Sequence, residues 1–249
     1  MRKPEQLAEL AKAGFRVEGT EPPASDVVDF PPVSAPLNVG DNAVRTTIAD
    51  TLTAPAESPT VTVMLDQSMP TDEGGATRLA NVADALKTRI QVLPPDSGVG
   101  LWTFDGVGSR SEVALGPLAD PVNGTPRKDV LNSELDSQTA SNGGAVSFTT
   151  MRIVYGDATS KFREGQKNSV LVITAGPHTD QSLGASGLQD YIRGAFKADR
   201  PVAVNVIDLG DDPDRATWES VAEITGGSYQ NLGSSASPEL ASAIAKMLS

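Results

Sequence analysis

The chain has 249 residues, of which 39% are hydrophobic and only 4% aromatic, so it can bury a sizeable core built from Val, Leu, Ile and Ala. Its 32 acidic and 20 basic residues give a formal net charge of −12, a surface that repels phosphate backbones and anionic lipid and so argues against nucleic acid as a partner. With no cysteine, a disulfide framework, thiol catalysis and Cys-ligated zinc are excluded, and a single histidine, His178, argues against a His-rich metal site or a His-based triad.

Residues 1–59 read as an irregular N-terminal extension. Met1-Arg2-Lys3 is basic, but Pro4-Glu5-Gln6 follows where a signal peptide requires an apolar stretch. Leu7, Leu10, Ala11 and Ala13 suggest a short helix stopped by Gly14, and residues 43–52 a second one. Between them Pro22-Pro23, Pro31-Pro32 and Pro36 read as extended linker, because proline lacks the amide and fixes φ. No apolar run approaches the ~18 residues that cross a bilayer, so direct membrane insertion of this segment is not expected.

From residue 60 strands and helices alternate. A β-rich run over 60–65 ends at Asp66. Leu79, Val82, Ala83, Leu86, Ile90 and Leu93 recur at three and four, one face of an amphipathic helix that Pro94-Pro95 stops. Strands are predicted over 98–104, 112–115 (short, paired antiparallel at an edge), 169–174, 201–207 and 228–232. Helices are predicted over 127–135, 147–162, 188–198, 216–224 and 238–248. This order predicts an α/β fold over 60–249, a doubly wound and mainly parallel sheet flanked by helices, with 1–59 outside it.

In such sheets ligands bind beyond the carboxyl ends of the strands. That directs attention to three loops: Asp66-Gln67-Ser68-Met69-Pro70, Gly143-Gly144-Ala145-Val146 and Thr174-Ala175-Gly176-Pro177. The candidate ligand-binding residues are Asp66, Ser68, Gly144 and Ala175. Asp66 has two readings, a turn-shaping carboxylate at a strand end and a cation ligand.

As a set, these segments resemble von Willebrand factor A domains. Val63 to Met69 is similar to the family's first strand and its Asp-x-Ser-x-Ser loop. Val99 to Asp105 resembles the second strand, and Val170 to Gly176 the strand that ends in Thr-Asp-Gly. Ile224 to Tyr229 resembles the closing helix-to-strand turn. The resemblance implies a Rossmann-like fold and a metal-ion-dependent adhesion site of two serines, a threonine and two aspartates. Only Asp66 and Ser68 remain of that set. Pro70 stands at the second serine, Ala145 at the threonine and Ala175 at the second aspartate. No cofactor is therefore expected, and at most weak Mg²⁺ or Mn²⁺ binding by Asp66 and Ser68. Asp72, Glu73, Ser147, Thr174 and Asp180 are available as replacement ligands or as ordinary loop polar residues.

Other features read as structural. The chain has no Gly-x-Ser-x-Gly elbow and no phosphate loop, and His178 reads as a solvent-exposed loop residue. Residues 208–214, with four aspartates, read as a solvated turn and helix cap. Trp102 and Trp218 fall on core elements. Lys3 to Gln6 followed by Ala13 to Arg16 is similar to the tail of a bacterial extracellular solute-binding domain. The expectation is a non-enzymatic, metal-independent protein-interaction module of an extracytoplasmic bacterial protein, its partner a protein or cell-envelope component. The alternatives are a scaffolding domain of a larger solute-binding protein and cation-dependent adhesion through a rebuilt site.

Overall fold

The computed structural model describes residues 58–249. The expectations for the N-terminal extension, including its two helices and its solute-binding resemblance, lie outside the described residues except at 58 and 59. Fourteen elements follow in order: β1 (Thr60–Asp66), β2 (Asp72–Glu73), β3 (Ala76–Thr77), α1 (Arg78–Val92), β4 (Gly98–Phe104), β5 (Ser109–Pro117), α2 (Arg127–Ser137), α3 (Ser147–Ser160), β6 (Asn168–Thr174), α4 (Ala185–Ala195), β7 (Val202–Leu209), α5 (Arg215–Thr225), β8 (Tyr229–Leu232) and α6 (Pro238–Met247).

Six strands form one sheet in the order β5-β4-β1-β6-β7-β8. All neighbours pair parallel except β5, which runs antiparallel to β4 at the edge. The central strands are apolar on both faces because each face has its own helix layer. In β6, Leu171 and Ile173 enter the core beneath α1, α2 and α6, while Val170 and Val172 enter the core beneath α3, α4 and α5. This is the period-two division of a strand covered on both sides.

The helices are placed by their buried faces. In α1 the buried residues are Leu79, Val82, Ala83, Leu86 and Ile90. Each large apolar side chain taken from water contributes about 1.5–3 kcal/mol. That exceeds the ~0.7 kcal/mol spread of ordinary helix propensities, so the β-branched Val82 and Ile90 are carried without difficulty. Thr77 Oγ1 accepts from Ala80 N at 3.1 Å to cap the start. Trp218 of α5 is fully buried and meets Phe148 of α3 edge to face at 5.4 Å.

Most element ends shift by one or two residues from the sequence reading, and three differences go further. Strand β5 extends well beyond 112–115, because Ser109, Arg110 and Ser111 pair through backbone alone and carry no apolar signal. Helix α4 begins at Ala185 rather than 188, its first turn being Ala-Ser-Gly. The β2–β3 hairpin, turned by Gly74 and Gly75, is too short to show a period.

The turn from α5 into β8 is the tightest backbone approach in this half of the sheet. Gly226 takes the left-handed conformation at φ 70° and ends the helix. Gly227 then passes so close to β7 that a Cβ there would lie 2.0 Å from the Val204 carbonyl oxygen. Gly227→Ala is therefore expected to cost about 3 kcal/mol and Gly226→Ala about 1 kcal/mol in urea unfolding. Equal costs would mean that the close approach is absent.

Candidate functional site

The carboxyl ends of β1, β4, β6 and β7 bring their loops, together with the loop between α2 and α3, to one edge of the sheet. At their centre is Asp66, with no exposed surface. Its Oδ1 accepts from Ser68 N at 2.7 Å and from Ser68 Oγ at 2.5 Å. Its Oδ2 accepts from Thr174 Oγ1 at 2.8 Å and from Ala175 N at 3.4 Å. Burial raises the Asp66 pKa, and the Ser68, Thr174 and Ala175 donors only partly offset it. The carboxylate ties β1 to β6.

The next residue ties β1 to the other side. Gln67 is 7% exposed. Its side chain donates to Gln138 Oε1 and accepts from Arg110 Nη2, both at 2.7 Å. Its backbone carbonyl accepts from Ser141 N at 2.8 Å. Sequence reasoning passed over Gln67, which carries no signal of its own.

The predicted loops do converge. Gly144, with φ 85°, lies against Thr179, and a Cβ there would be 2.7 Å from the threonine side chain. Ala145 is fully buried in the α3-side core, its amide donating to Thr179 Oγ1 at 3.0 Å. Ala175 is partly buried against the α1-side core. Pro70 is exposed. Of the residues considered as replacement ligands, Thr174 meets Asp66. Glu73 turns instead to Arg78 Nε at 2.6 Å and to the Ser234 and Ser235 hydroxyls. Burial opposes its ionisation, but those donors hold its pKa at about 2. Asp180 accepts from Ser182 and Thr149, and Ser147 contacts His178. Among the described residues, no three His, Cys, Asp or Glu side chains gather as a metal-ion site.

Two local readings need correction. His178 is not a free loop histidine, because its ring stacks on Phe148 at 4.0 Å. Its Nδ1 accepts from Phe148 N at 3.2 Å, so the ring proton is on Nε2, which donates to the Leu183 carbonyl at 3.1 Å. The imidazole thus caps the start of α3. Nor are residues 208–214 simply a solvated turn. Asp208 has no exposed surface and Asp212 is 8% exposed. Asp214 does stand at the N-cap of α5, but its Oδ2 accepts from His178 N at 2.7 Å instead of capping the helix.

Asp212 was missed because its burial depends on a backbone from another loop. Its Oδ1 accepts from Asp214 N at 2.8 Å, and its Oδ2 has no hydrogen-bond partner. The carboxyl group packs on Gly176, where a Cβ would lie 2.2 Å from Cγ. Asp208 Oδ2 accepts from Tyr229 Oη at 2.6 Å, while its Oδ1 is likewise unpartnered. Burial first, and then the neighbouring charges of Asp208, Asp214 and Asp66, push the Asp212 pKa up to about 6. Beside it opens a cleft of about 320 Å³ lined by Gly210, Asp211, Asp212, Pro213, Arg215 and Asn231.

The architecture has counterparts among solved structures. A von Willebrand factor type A protein from Catenulispora acidiphila superposes with a TM-score of 0.59 at 14% identity, covering 77% of this chain and 42% of that one. The fold is that of a von Willebrand factor A domain. An aerotolerance-related membrane protein from Bacteroides fragilis shares the A-domain fold with a TM-score of 0.53 at 16% identity, over 77% of this chain and 98% of its own. Proximal thread matrix protein 1 from the mussel byssus, with a zinc-occupied adhesion motif, gives 0.56 at 17% identity over 77% and 47%. No family model matches the chain. In sequence it is 58% identical over all 249 residues to two uncharacterized proteins of Mycobacterium tuberculosis, Rv1836c and MT1884, and spans 37% of their length.

The Asp212 environment makes a signed prediction. A carboxyl raised from 3.8 to about 6 favours the fold below its unfolded pKa, and that contribution is lost as pH rises through about 6. Asp212→Asn removes the penalty. It should stabilise the chain by about 1–3 kcal/mol near pH 8 and by nothing near pH 4 in denaturant titrations. A difference that is the same at both ends would refute the buried, unpartnered carboxylate.

Proposed function

We propose that this A-domain is a non-catalytic protein-interaction module that docks its partner on the loops at the carboxyl edge without a divalent metal ion. The observation that carries the reading is the state of Asp66. Both of its oxygens already accept donors from within the protein, and the side chain is wholly buried. Octahedral Mg²⁺ needs several oxygen ligands free to turn toward it. Here the second serine, the threonine and the second aspartate of the adhesion motif are Pro70, Ala145 and Ala175, and the Ser68 hydroxyl points at Asp66. This set does not fit the ion, and the decayed motif serves as a strand tie.

Catalysis has no better support. Ser147 and His178 approach to 3.2 Å, but Ser147 is 1% exposed and the same Nδ1 holds the Phe148 amide. That is a helix cap rather than a nucleophile and its base. The resemblance of residues 3–16 to a solute-binding tail, together with the bacterial relatives, supports an extracytoplasmic setting within a longer protein. The partner is then a protein or another cell-envelope component.

Two measurements test this. A metal ion at a hundredfold its Kd adds about 2.7 kcal/mol, or roughly 5–10 °C of melting temperature in a domain of this size. Millimolar Mg²⁺ or Mn²⁺ after EDTA should instead leave the melt unchanged. Asp66→Ala should lower it by the equivalent of about 2–4 kcal/mol with or without metal. A metal-dependent rise that disappears in Asp66→Ala means cation-dependent adhesion and overturns the reading. For docking, a photo-crosslinker at Val107 (93% exposed, on the β4–β5 turn at the carboxyl edge) should capture a discrete partner in extract of the source organism. One at Val92 (69% exposed, at the opposite edge) should not. Equal capture at both positions removes the assignment of the face.

A further inference from the structure

One contact at the loop edge joins two loops far apart in sequence without a hydrogen bond. The Asp212 carboxyl group, between β7 and α5, is seated against Gly176 on the loop after β6. A Cβ at Gly176 would lie 2.2 Å from Asp212 Cγ, and its φ of 49° already favours glycine. This seat suits a neutral group better than a charged one. Asp212 is 8% exposed, its Oδ1 accepts from the Asp214 amide at 2.8 Å, and its Oδ2 meets no donor among the described residues. A neutral carboxyl loses little by such burial, whereas a carboxylate gives up its water for a single bond.

Charged groups face Asp212 from each element packed around it. Asp208 on β7, Asp66 at the end of β1 and Asp214 before α5 all oppose its ionisation. Tyr229 of β8 donates to Asp208. From α1, Arg78 holds Glu73 and donates to the Leu209 carbonyl at 3.2 Å. From the loop after β6, His178 turns its ring onto Phe148. Asp211 and Arg215 share the wall of the neighbouring cleft, where the Arg215 guanidinium pairs with Glu219 at 2.8 Å.

That cleft gives an ionised Asp212 a destination, since the residue already forms part of its wall. Rotation about the Cα–Cβ bond would carry the carboxylate away from Gly176 into water, on the side of the Arg215 guanidinium. The backbone need not refold for this. Gly210 N donates to the Leu232 carbonyl at 3.1 Å and Arg215 N to the Asp212 carbonyl at 3.2 Å, and neither bond involves the rotating side chain.

We infer that Asp212 is a proton-operated latch between the β7–α5 loop and the loop after β6. Protonated, it seats against Gly176 and holds the two loops together. Ionised, it turns into the cleft, releases the Asp214 amide and frees Gly176. The latch places the proposed docking edge under the control of pH, and only that use rests on the docking reading.

The carboxyl has a pKa of about 6 when seated and the ordinary 3.8 when turned out. The seated form is therefore favoured at low pH and loses ground as pH rises through about 6, so the open-to-seated ratio should grow roughly fiftyfold between pH 4 and pH 7.5. Native-state hydrogen exchange reads this at the Gly176 and Asp214 amides of the ¹⁵N-labelled 249-residue chain, after correction for intrinsic rates. Their protection should fall roughly fiftyfold over that range, at rates that about 1 M urea leaves unchanged, because opening a latch exposes little surface. Asp212→Asn keeps the Oδ1 acceptor but cannot ionise, and should retain the low-pH protection at pH 7.5. Gly176→Ala fills the seat, and should exchange at the open rate already at pH 4. Protection indifferent to pH, a fall that survives in Asp212→Asn, or slow exchange in a folded Gly176→Ala at pH 4 would each overturn the latch. So would a fall that steepens with urea as it does for sheet amides such as Val172, which would mean that Asp212 acts on global unfolding alone. No partner takes part, so face-selective crosslinking at Val107 stands or fails separately.

Discussion

The fold depends on how the end of β1 is held. A central strand in a parallel sheet ends with its last carbonyls and amides pointing into a crevice where two neighbouring connections diverge. In this chain one buried carboxylate and one buried amide close that crevice. Asp66 reaches β6 through Thr174 and Ala175, and Gln67 reaches the β4–β5 hairpin through Arg110 and the 138–141 loop. Neither interaction is strong alone, since hydrogen bonds to charged groups contribute about 1.5–3 kcal/mol and neutral ones about 1. Together they join the last residue of one strand and the residue after it to loops on both sides. The loops at this edge are thereby tied to the strand through side chains of the protein itself.

That arrangement gives the Asp66 carboxylate a structural role of its own at the end of β1. A carboxylate at this position is useful to the backbone whether or not a metal is present. Ala145 and Ala175 nearby pack into the cores on the two faces of the sheet. The surrounding loops are stitched by other means. Thr179 bonds the Ala145 amide, His178 caps α3, and Asp214 takes the His178 amide. The lone histidine, which composition alone marks as a chemical candidate, is one stitch in this series.

The layer order, the parallel centre and the edge position of β5 were legible because they follow from apolar periodicity. Residues 169–174 could be recognised as buried on both faces from their composition alone. What periodicity cannot report is backbone pairing between polar residues, as at Ser109 to Ser111, or a hairpin of two residues per strand. The candidate loops were also legible, since they must follow strands in this topology. The burial of Asp208 and Asp212 was not. Four aspartates in seven residues resemble a wet turn, but Asp208 is buried by its place in β7 and Asp212 by the passage of Gly176 against its carboxyl group. The sequence distance between the two, from 176 to 212, hides the contact from any local pattern.

The register of β1 has a consequence for how the chain comes to be folded. Thr60 pairs with Gly98 on one side and with Asn168 on the other, the latter 108 residues later (168 − 60). At a synthesis rate of about 5–20 residues per second, the Thr-Val-Thr-Val-Met-Leu strand emerges roughly 5–20 s before its second partner exists. It is short, β-prone, uncharged and free of proline, the composition that stacks with copies of itself when left unpaired. The strand at the heart of the finished sheet thus keeps one edge unpaired until β6 has been made.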